Sequence, residues 1–378
     1  MTLPLVPRPL RVSALSATFL ASALFATAGL AEGLKTDLTA QVSFDNPKNA
    51  DAAVSIIHGY QTPEYPYLLK ESGLFDDIDY KLDIPIISGP QAQIAALYAH
   101  NLDVGHVGDN TAGFEWANAY TDWSAEGAVP AIYNIAGATS DQQPFPNGVY
   151  AWTSSGVTSL ADLKGHTVGY NFGGNIYSAY VSALAGAGVT EAEVQPILFE
   201  SNPLVAQAFK DGNVEVAVTG ANFVQDLVDS GEVKLIASYT DLGVPGGHGF
   251  ISRPDVLADP GKLAALQDFY ARLKKFHAEW VPAHEAAYLQ IQQTMNKQRP
   301  RVAAINYANY AVMRLYPVGN PAFIAKKQRI VDLAVKNGTL KHQRDVTRAY
   351  NPAFDAIVAE NSARQAISMA LGVRACAA

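Results

Sequence analysis

Gly169-Tyr-Asn-Phe-Gly-Gly-Asn-Ile-Tyr-Ser-Ala-Tyr-Val-Ser-Ala-Leu-Ala-Gly-Ala-Gly188 is the stretch from which the fold can be worked out. Thr167 to Tyr170 has the pattern of a short buried strand, and Gly173-Gly174-Asn175 that of a sharp turn with an N-cap. Small and apolar residues follow at helical spacing as far as Gly188, which suits a glycine C-cap. A glycine turn before a helix presents free backbone N–H groups to an anion. An ordinary strand-turn-helix corner is the alternative interpretation.

This predicted anion site would work without a countercharge, because no Lys or Arg lies between Gly165 and Ala206. The pattern also lacks the Lys and Ser/Thr of a nucleotide-binding P-loop. Amides and hydroxyls are therefore the expected donors.

Composition narrows the class of protein. The chain has 378 residues, of which 49% are hydrophobic and 16% charged, so it can bury a large core, and its length suggests two domains. The net charge of -8 argues against nucleic acid and anionic membrane surfaces as partners. Cys376 is the single cysteine, which excludes a disulfide framework and a Cys-rich metal site.

The N-terminus, residues 1–31, has the pattern of a secretory signal peptide. Arg8 and Arg11 precede an uncharged apolar run from Val12 to Leu24, and small-residue cleavage sites follow at Ala28 and Ala31. The run is short for a membrane anchor, which is the alternative. Export of an acidic protein with one cysteine indicates a bacterial periplasm.

Strands and helices alternate along the chain, in an order that occurs twice. Strands are predicted at Ala53–Tyr60, Tyr80–Ile87 and Val104–Val107, with helices between them. The segment Ala96–Asn110 can be laid on Ala208–Asn222 without a gap. The repeat predicts two similar α/β lobes with parallel strands.

The chain is expected to cross between the lobes twice, near Gln142–Gly148 and Gly243–Gly249, so that the lobes can open and close. The predicted boundaries place residues 41–147 and 246–378 in lobe 1 and residues 148–245 in lobe 2. Further helices, expected to pack on the first lobe, are predicted at Lys262–Trp280, His284–Gln298, Pro300–Leu315 and Ala322–Lys336.

Several motifs resemble those of the aliphatic sulfonate-binding proteins of ABC importers. They are Gly59-Tyr-Gln61, Ser88-Gly-Pro-Gln91, Leu102-Asp-Val-Gly-His-Val-Gly-Asp109 and Ser159-Leu-Ala-Asp-Leu-Lys-Gly-His-Thr-Val-Gly169. The resemblance implies the type II periplasmic binding protein fold, with two α/β lobes joined by two hinge strands and a helical C-terminal extension on the first lobe. It also implies a monomer that needs no cofactor, binds a small organosulfur anion and delivers it to a membrane permease.

By the same resemblance, the ligand lies in the cleft and meets helix N-termini of both lobes. The residues carried over are Gln61, Thr62, Gly89, Pro90, Gln91, Asp109, Asn110 and Thr111 from the first lobe, and Gly174, Asn175, Ile176 and Asn222 from the second.

Two departures from the family pattern leave the exact ligand open. Relatives commonly have Ser-Asn where this chain has Gly174-Asn175, and Trp with Asp-Pro around the loop that is Thr219-Gly-Ala-Asn-Phe223 here. Sulfate esters, taurine, nitrate or a thiamine-type pyrimidine are therefore alternative ligands.

Two residues have alternative roles. The carboxylate of Asp109 would repel a sulfonate, so it is either an N-cap turned away from the ligand or a partner for a ligand amine. His248 stands between Gly247 and Gly249, either as a hinge residue or as a donor to the ligand.

An enzyme on this fold is the alternative from another class. Cys376 lies in the terminal tail, which argues against thiol catalysis, and no His-x-x-x-His pair suggests a metal site. We therefore expect no catalytic residues, no metal and no reaction.

Overall fold

Two sheets of the same topology form the frame of the protein, as described by a computed structural model that covers residues 33–139, 143–244 and 247–359. Within these ranges no helix has the length and apolar character needed to cross a membrane. The predicted signal peptide, the predicted boundary at residues 245 and 246, and Cys376 lie outside the described residues.

The first lobe starts with alternating strands and helices. In chain order they are β1 (Ser55–Ile57), α1 (Glu64–Ser72), β2 (Lys81–Asp83), α2 (Pro90–Tyr98), β3 (Val104–Gly108), α3 (Thr111–Asn118) and β4 (Tyr133–Thr139). The parallel pair β1-β2 is joined to β3 by a bridge between His58 and Val104. The strand β10 (Gly247–Ser252) returns later in the chain and pairs with β3 and β4, antiparallel to both.

The second lobe repeats this arrangement. Its elements are β5 (Gly148–Trp152), β6 (Thr167–Asn171), α4 (Asn175–Ala187), β7 (Gln195–Phe199), α5 (Asn202–Lys210), β8 (Val216–Thr219), α6 (Ala221–Asp229) and β9 (Val233–Ser238). The strand order is β7-β6-β8-β5-β9, with β5 antiparallel to its two neighbours. In the first lobe the corresponding order is β2-β1-β3-β10-β4, with one more strand, Arg314–Tyr316, paired outside β4, so the repeat in the sequence is a repeat of topology.

Both inserted strands, β5 and β10, begin directly after the chain has crossed from one sheet to the other. The crossings fall between β4 and β5 and between β9 and β10. The lobes pack as one compact unit, and the predicted domain boundaries after residues 147 and 245 stay a prediction.

The C-terminal part is mainly helical. It contains α7 (Pro254–Ala258), α8 (Pro260–Lys275), a π-helical turn (Phe276–Trp280), α9 (Val281–Ala283), α10 (Glu285–Met295), α11 (Pro300–Ala311), β11 (Arg314–Tyr316) and α12 (Pro321–Lys336). As expected, α8 and α10 pack on the first lobe, against β1 and α1. In addition, α11 contacts α6 and α12 contacts α4, so the extension also touches the second lobe.

Three predicted elements have different bounds. The strands expected at Ala53–Tyr60 and Tyr80–Ile87 shrink to β1 and β2, continued by isolated bridges at His58 and Tyr60. Pro85 lacks an N–H group and interrupts the second of them. The helix predicted at Pro300–Leu315 ends at Ala311, because Arg314–Tyr316 pairs with β4 at the sheet edge.

The decisive stretch folds as predicted, with one correction. The strand β6 leads into α4, and Gly188 closes the helix with a φ of +70°, a left-handed conformation that favours glycine. The N-cap position is held by Gly174, and Asn175 is the first helical residue. The Asn175 side chain is not a cap because it donates to the carbonyl oxygen of Gly247 in the other lobe.

Candidate functional site

The N-terminus of α4 meets the loop between β3 and α3 of the other lobe. A Cβ atom added to Gly108 would lie 2.6 Å from the backbone nitrogen of Asn175 and 2.6 Å from the Cα of Gly174. The Thr111 hydroxyl donates to the carbonyl oxygen of Gly173. Backbone therefore faces backbone at this point, and the lobes are closed on one another.

A second contact between the lobes is made by the loop that enters α2. Pro90 packs beside Gly173, and a Cβ atom at Gly89 would lie 3.0 Å from the carbonyl oxygen of Glu200. Gly89 has a φ of +89°, so the turn itself favours glycine.

Gln61 fastens this loop to the neighbouring strand. Its side chain accepts from the backbone N–H of Gly89 at 3.2 Å and donates to the carbonyl oxygen of His106 at 2.8 Å. Gln61 thus links the segment after β1 to the middle of β3 and to the loop that enters α2.

Four other predicted site residues have different surroundings from those just described. Thr62 is exposed and donates to Glu64 at 2.9 Å, and Gln91 is exposed on α2. Ile176 is buried in the core, while Asn222 stands in the first turn of α6 beside Gly220. The structure thus brings together Gly89, Pro90, Thr111, Gly174 and Asn175, and the assignment of all these residues to a ligand stays a prediction.

Asp109 has a partner that the sequence did not reveal. Its Oδ2 atom lies 2.6 Å from Nζ of Lys327 on α12, and Tyr316 donates to the same oxygen at 2.9 Å. The interpretation of Asp109 as an N-cap is wrong, because Asn110 holds the N-cap position of α3. The carboxylate is held by an ion pair and a hydroxyl instead.

Burial governs the electrostatics of this pair. It raises the pKa of Asp109 against the opposing effect of Lys327, and it lowers the pKa of Lys327 against the opposing effect of Asp109. Whether the two side chains are both charged or both neutral, their charges sum to zero.

Lys327 and Tyr316 are the functional candidates that sequence reasoning missed. Lys327 lies on the buried stripe of α12 with Ile330, Val331 and Ala334. The sequence therefore contained a signal for Lys327: a lysine on the apolar face of an amphipathic helix predicts that a buried acidic or polar group pairs with it. For Tyr316, the sequence offered no comparable sign.

Several buried polar atoms at the closed contact have no hydrogen-bond partner. They are Asp109 Oδ1, Asn110 Nδ2 and Asn175 Oδ1. Buried polar groups are normally satisfied, so such a group of atoms suits the binding of a polar ligand. The single side-chain oxygen of Asn110, Oδ1, accepts from the Tyr350 hydroxyl at 3.1 Å.

His248 faces another histidine. Its Nδ1 atom is 2.5 Å from Nε2 of His106, whose ring stacks on Tyr60 at a centroid distance of 4.0 Å. Burial lowers the pKa of His248 to about 4, and burial together with the neighbouring histidines places that of His106 well below its usual value. Both rings are neutral at pH 7, so one donates to the other. The two roles predicted for His248 both stay open.

The contact combines backbone N–H groups with side-chain atoms of both kinds: Asn110 Nδ2 is an unpartnered donor, and Asp109 Oδ1 and Asn175 Oδ1 are unpartnered acceptors. Within the described ranges, no group of three or more His, Cys, Asp or Glu side chains could hold a metal ion. Backbone amides at a helix N-terminus suit an oxyanion, and Asn110 Nδ2 is an unpartnered side-chain donor in the facing segment, whereas Thr111 and Asn175 already donate to the carbonyl oxygens of Gly173 and Gly247.

Comparisons with known proteins agree with the motifs. Residues 133–272 match the family described as NMT1/THI5 like. A curated Escherichia coli (strain K12) protein, named provisionally as an aliphatic sulfonates-binding protein, is 24% identical over 260 residues, which cover 68% of this chain and 75% of the relative.

Solved structures share the fold. The alkanesulfonate-binding protein SsuA from Xanthomonas axonopodis pv. citri, bound to MOPS, has a TM-score of 0.65 and 19% identity, over 79% of this chain and 99% of that one. The periplasmic aliphatic sulphonate binding protein SsuA from Escherichia coli has a TM-score of 0.62 and 21% identity, over 80% and 93%.

An enzyme has the same fold at a lower similarity. The desulfurization enzyme DSZB has a TM-score of 0.53 and 11% identity, over 82% of this chain and 99% of the enzyme. The fold is therefore the type II periplasmic binding protein fold, which by itself does not separate binding from catalysis. In sequence and in fold, this chain is similar to aliphatic sulfonate-binding proteins, as its motifs predict.

Proposed function

We propose that this protein is the substrate-binding component of an ABC importer. It captures a small organosulfur anion of the alkanesulfonate type between its lobes and delivers it to a membrane permease. The observation that carries the proposal is the N-terminus of α4, whose backbone meets the Gly108–Thr111 segment of the other lobe. The names of the relatives support the same ligand class.

The proposal includes a place in the cell and a mode of action. The protein works in the periplasm after removal of residues 1–31, as a monomer, and it releases its ligand unchanged. The ligand-binding residues are those predicted from the sequence, with the backbone amides of Gly174 and Asn175 at the anionic head and with the exception of Asp109, whose carboxylate is held by Lys327 and Tyr316. Closure of the lobes replaces the water around the anion by fixed N–H groups.

Titration of the purified protein by calorimetry and thermal unfolding tests the proposal. The ligands are alkanesulfonates of increasing length, taurine, alkyl and aryl sulfate esters, nitrate and a thiamine-type pyrimidine, with an alkanol of matched length as the uncharged control. A ligand at a hundred times its Kd raises the free energy of unfolding by about 2.7 kcal/mol. We expect sulfonates to stabilise the protein and to be recovered intact.

Two outcomes contradict the proposal. A response to the pyrimidine alone, with silence from all sulfo compounds, would assign the protein to a different ligand on the same fold. Consumption of a sulfo compound would make it an enzyme.

A further inference from the structure

A buried ion pair stands directly behind the contact between the lobes. The side chains of Lys327 and Asp109 are 2% and 1% exposed, and their charged atoms are 2.6 Å apart. Asp109 follows Gly108, whose backbone meets the N-terminus of α4. It also borders the hinge strand, since a Cβ atom at Gly247 would lie 2.8 Å from Asp109 Oδ2. A charge on either member that its partner did not balance would therefore act at the place where the anion is proposed to bind.

Asp109 alone would oppose an anion there. Like charges repel strongly in a poorly solvated interior, and a buried charge without a partner is costly by itself. Lys327 is the cation that balances Asp109, while Tyr316 adds a neutral donor to the same oxygen.

We propose that Lys327 is a positioning residue for ligand recognition, which cancels the charge of Asp109 so that the closed cleft accepts a singly charged anion. The inference rests on the proposed function and deepens it by naming the charge of the ligand. Lys327 acts through Asp109, because it is buried on α12 with Nζ 4.7 Å from the centre of the Phe323 ring.

The charge balance favours a monoanion over a dianion. The pair sums to zero, the His106 and His248 rings are neutral, and the stretch from Gly165 to Ala206 holds no Lys or Arg. Dipoles and amides can hold one negative charge, whereas a second charge would be buried without a counter-ion. An alkanesulfonate should therefore bind better than the alkylphosphonate of the same length at pH 8.5, where the phosphonate carries a second charge.

The test is a charge cycle on the full protein. The variants are Lys327→Met, Asp109→Asn and the double variant, with Lys326→Met as control because Lys326 is the exposed neighbour on the same helix. Calorimetry measures the Kd of the alkanesulfonate that binds best, and thermal unfolding without ligand follows stability.

We expect Lys327→Met to weaken sulfonate binding by about tenfold or more at pH 8.5, and less as the pH falls, since an ionised Asp109 is then left unbalanced and acidification protonates it. The double variant should return to within about threefold of the wild type, and Asp109→Asn should bind at least as tightly as the wild type. Lys326→Met should bind like the wild type. If Lys327→Met does not fold, the Kd values of the double variant and of Asp109→Asn still test the inference.

Three results would overturn the inference. A folded double variant that stays as weak as Lys327→Met would mean that the lysine itself is needed. Weaker binding in Asp109→Asn would mean that the carboxylate holds the ligand. Equal Kd values for the phosphonate and the sulfonate at pH 8.5 would contradict the preference for a monoanion. In each case the wild type still binds a sulfonate, whereas a wild type that binds no sulfo compound would overturn the proposed function and this inference with it.

Discussion

Gly108 sets how closely the two lobes approach. It ends β3 at the point where the first turn of α4 arrives from the other lobe, and the neighbours of its missing side chain are backbone atoms. Backbone atoms cannot swing aside as the end of a flexible side chain can. A methyl group at this position would therefore separate the lobes.

We predict that Gly108→Ala weakens sulfonate binding at least tenfold, a loss of about 1.4 kcal/mol, because the added Cβ would lie 2.6 Å from Asn175 N. The unliganded protein should unfold at nearly the same temperature, since the contact lies between lobes and not inside one. Calorimetry and thermal unfolding give both values.

Gly174→Ala is the matched control on the opposite side of the same contact. A Cβ atom at Gly174 would meet its nearest neighbours at 3.9 and 4.0 Å, which is ordinary van der Waals distance. It should bind within about threefold of the wild type. Equal losses in both variants would mean that any side chain at this contact blocks the ligand, and that the close approach at Gly108 is not the cause.

At the scale of elements, α11 and α12 connect the C-terminal extension to the second lobe by different chemistry. Helix α12 packs apolar residues between α3 and α4, and its C-cap Asn337 donates to the carbonyl oxygen of Val181 at 2.9 Å. Helix α11 reaches α6 through exposed ion pairs of Arg299 and Arg301. Buried hydrogen bonds and apolar packing contribute more than exposed ion pairs.

We predict that Asn337→Ala lowers the free energy of unfolding by about 0.5–1.5 kcal/mol, since it removes a buried hydrogen bond between α12 and α4. The double variant Arg299→Gln, Arg301→Gln should lower it by less than about 1 kcal/mol, because these pairs are exposed to water. Urea unfolding at one pH and one salt concentration measures both. A larger loss in the arginine variant would mean that the ion pairs, and not α12, hold the extension to the second lobe.

The ends of the helices and strands also show which features the local sequence pattern can predict and which it cannot. The glycine C-cap at Gly188 and the start of α2 at Pro90 follow from residues within one helical turn. By contrast, Arg314–Tyr316 continues a helical pattern and yet forms a strand, because β4 offers an open edge for pairing. No residue near Arg314 carries that information.

At the scale of the whole molecule, buried histidines should make stability depend on pH. Burial lowers the pKa of His58 and His248 to about 4 and that of His277 to about 3. In the unfolded chain these rings take up protons near the ordinary value of 6.5. Between pH 6.5 and 4 the unfolded state thus binds more protons than the folded state, so stability falls as the pH falls.

On acidification from pH 7 to pH 5, we predict that the free energy of unfolding falls by about 2 kcal/mol less in His58→Phe than in the wild type. The variant lacks one of the rings that take up a proton on unfolding. Phenylalanine keeps the stacking of the ring on Phe269 at 4.6 Å, and it removes the 3.5 Å contact between Nε2 and the Tyr270 hydroxyl at both pH values alike. Urea unfolding at both pH values measures the difference. The comparison is needed because burial raises the pKa of Glu64, which acts in the opposite direction.

Replacement of the exposed His342 by Gln is the control for the loss of an imidazole as such. If His58→Phe and the wild type lose the same free energy on acidification, His58 is not the group that takes up the proton on unfolding.

The sequence by itself determined the repeated order of strands and helices, the glycine turn before α4 and the resemblance to sulfonate-binding proteins. These features depend on residues close together in the chain, where periodicity, capping and turn chemistry act. Only the tertiary structure decided that Asp109 is balanced by Lys327, that Tyr316 donates to it across 207 residues, and that Gly108 meets α4. Contacts between distant segments depend on how whole lobes pack, and a local pattern can show that a side chain needs a partner without showing which one it finds.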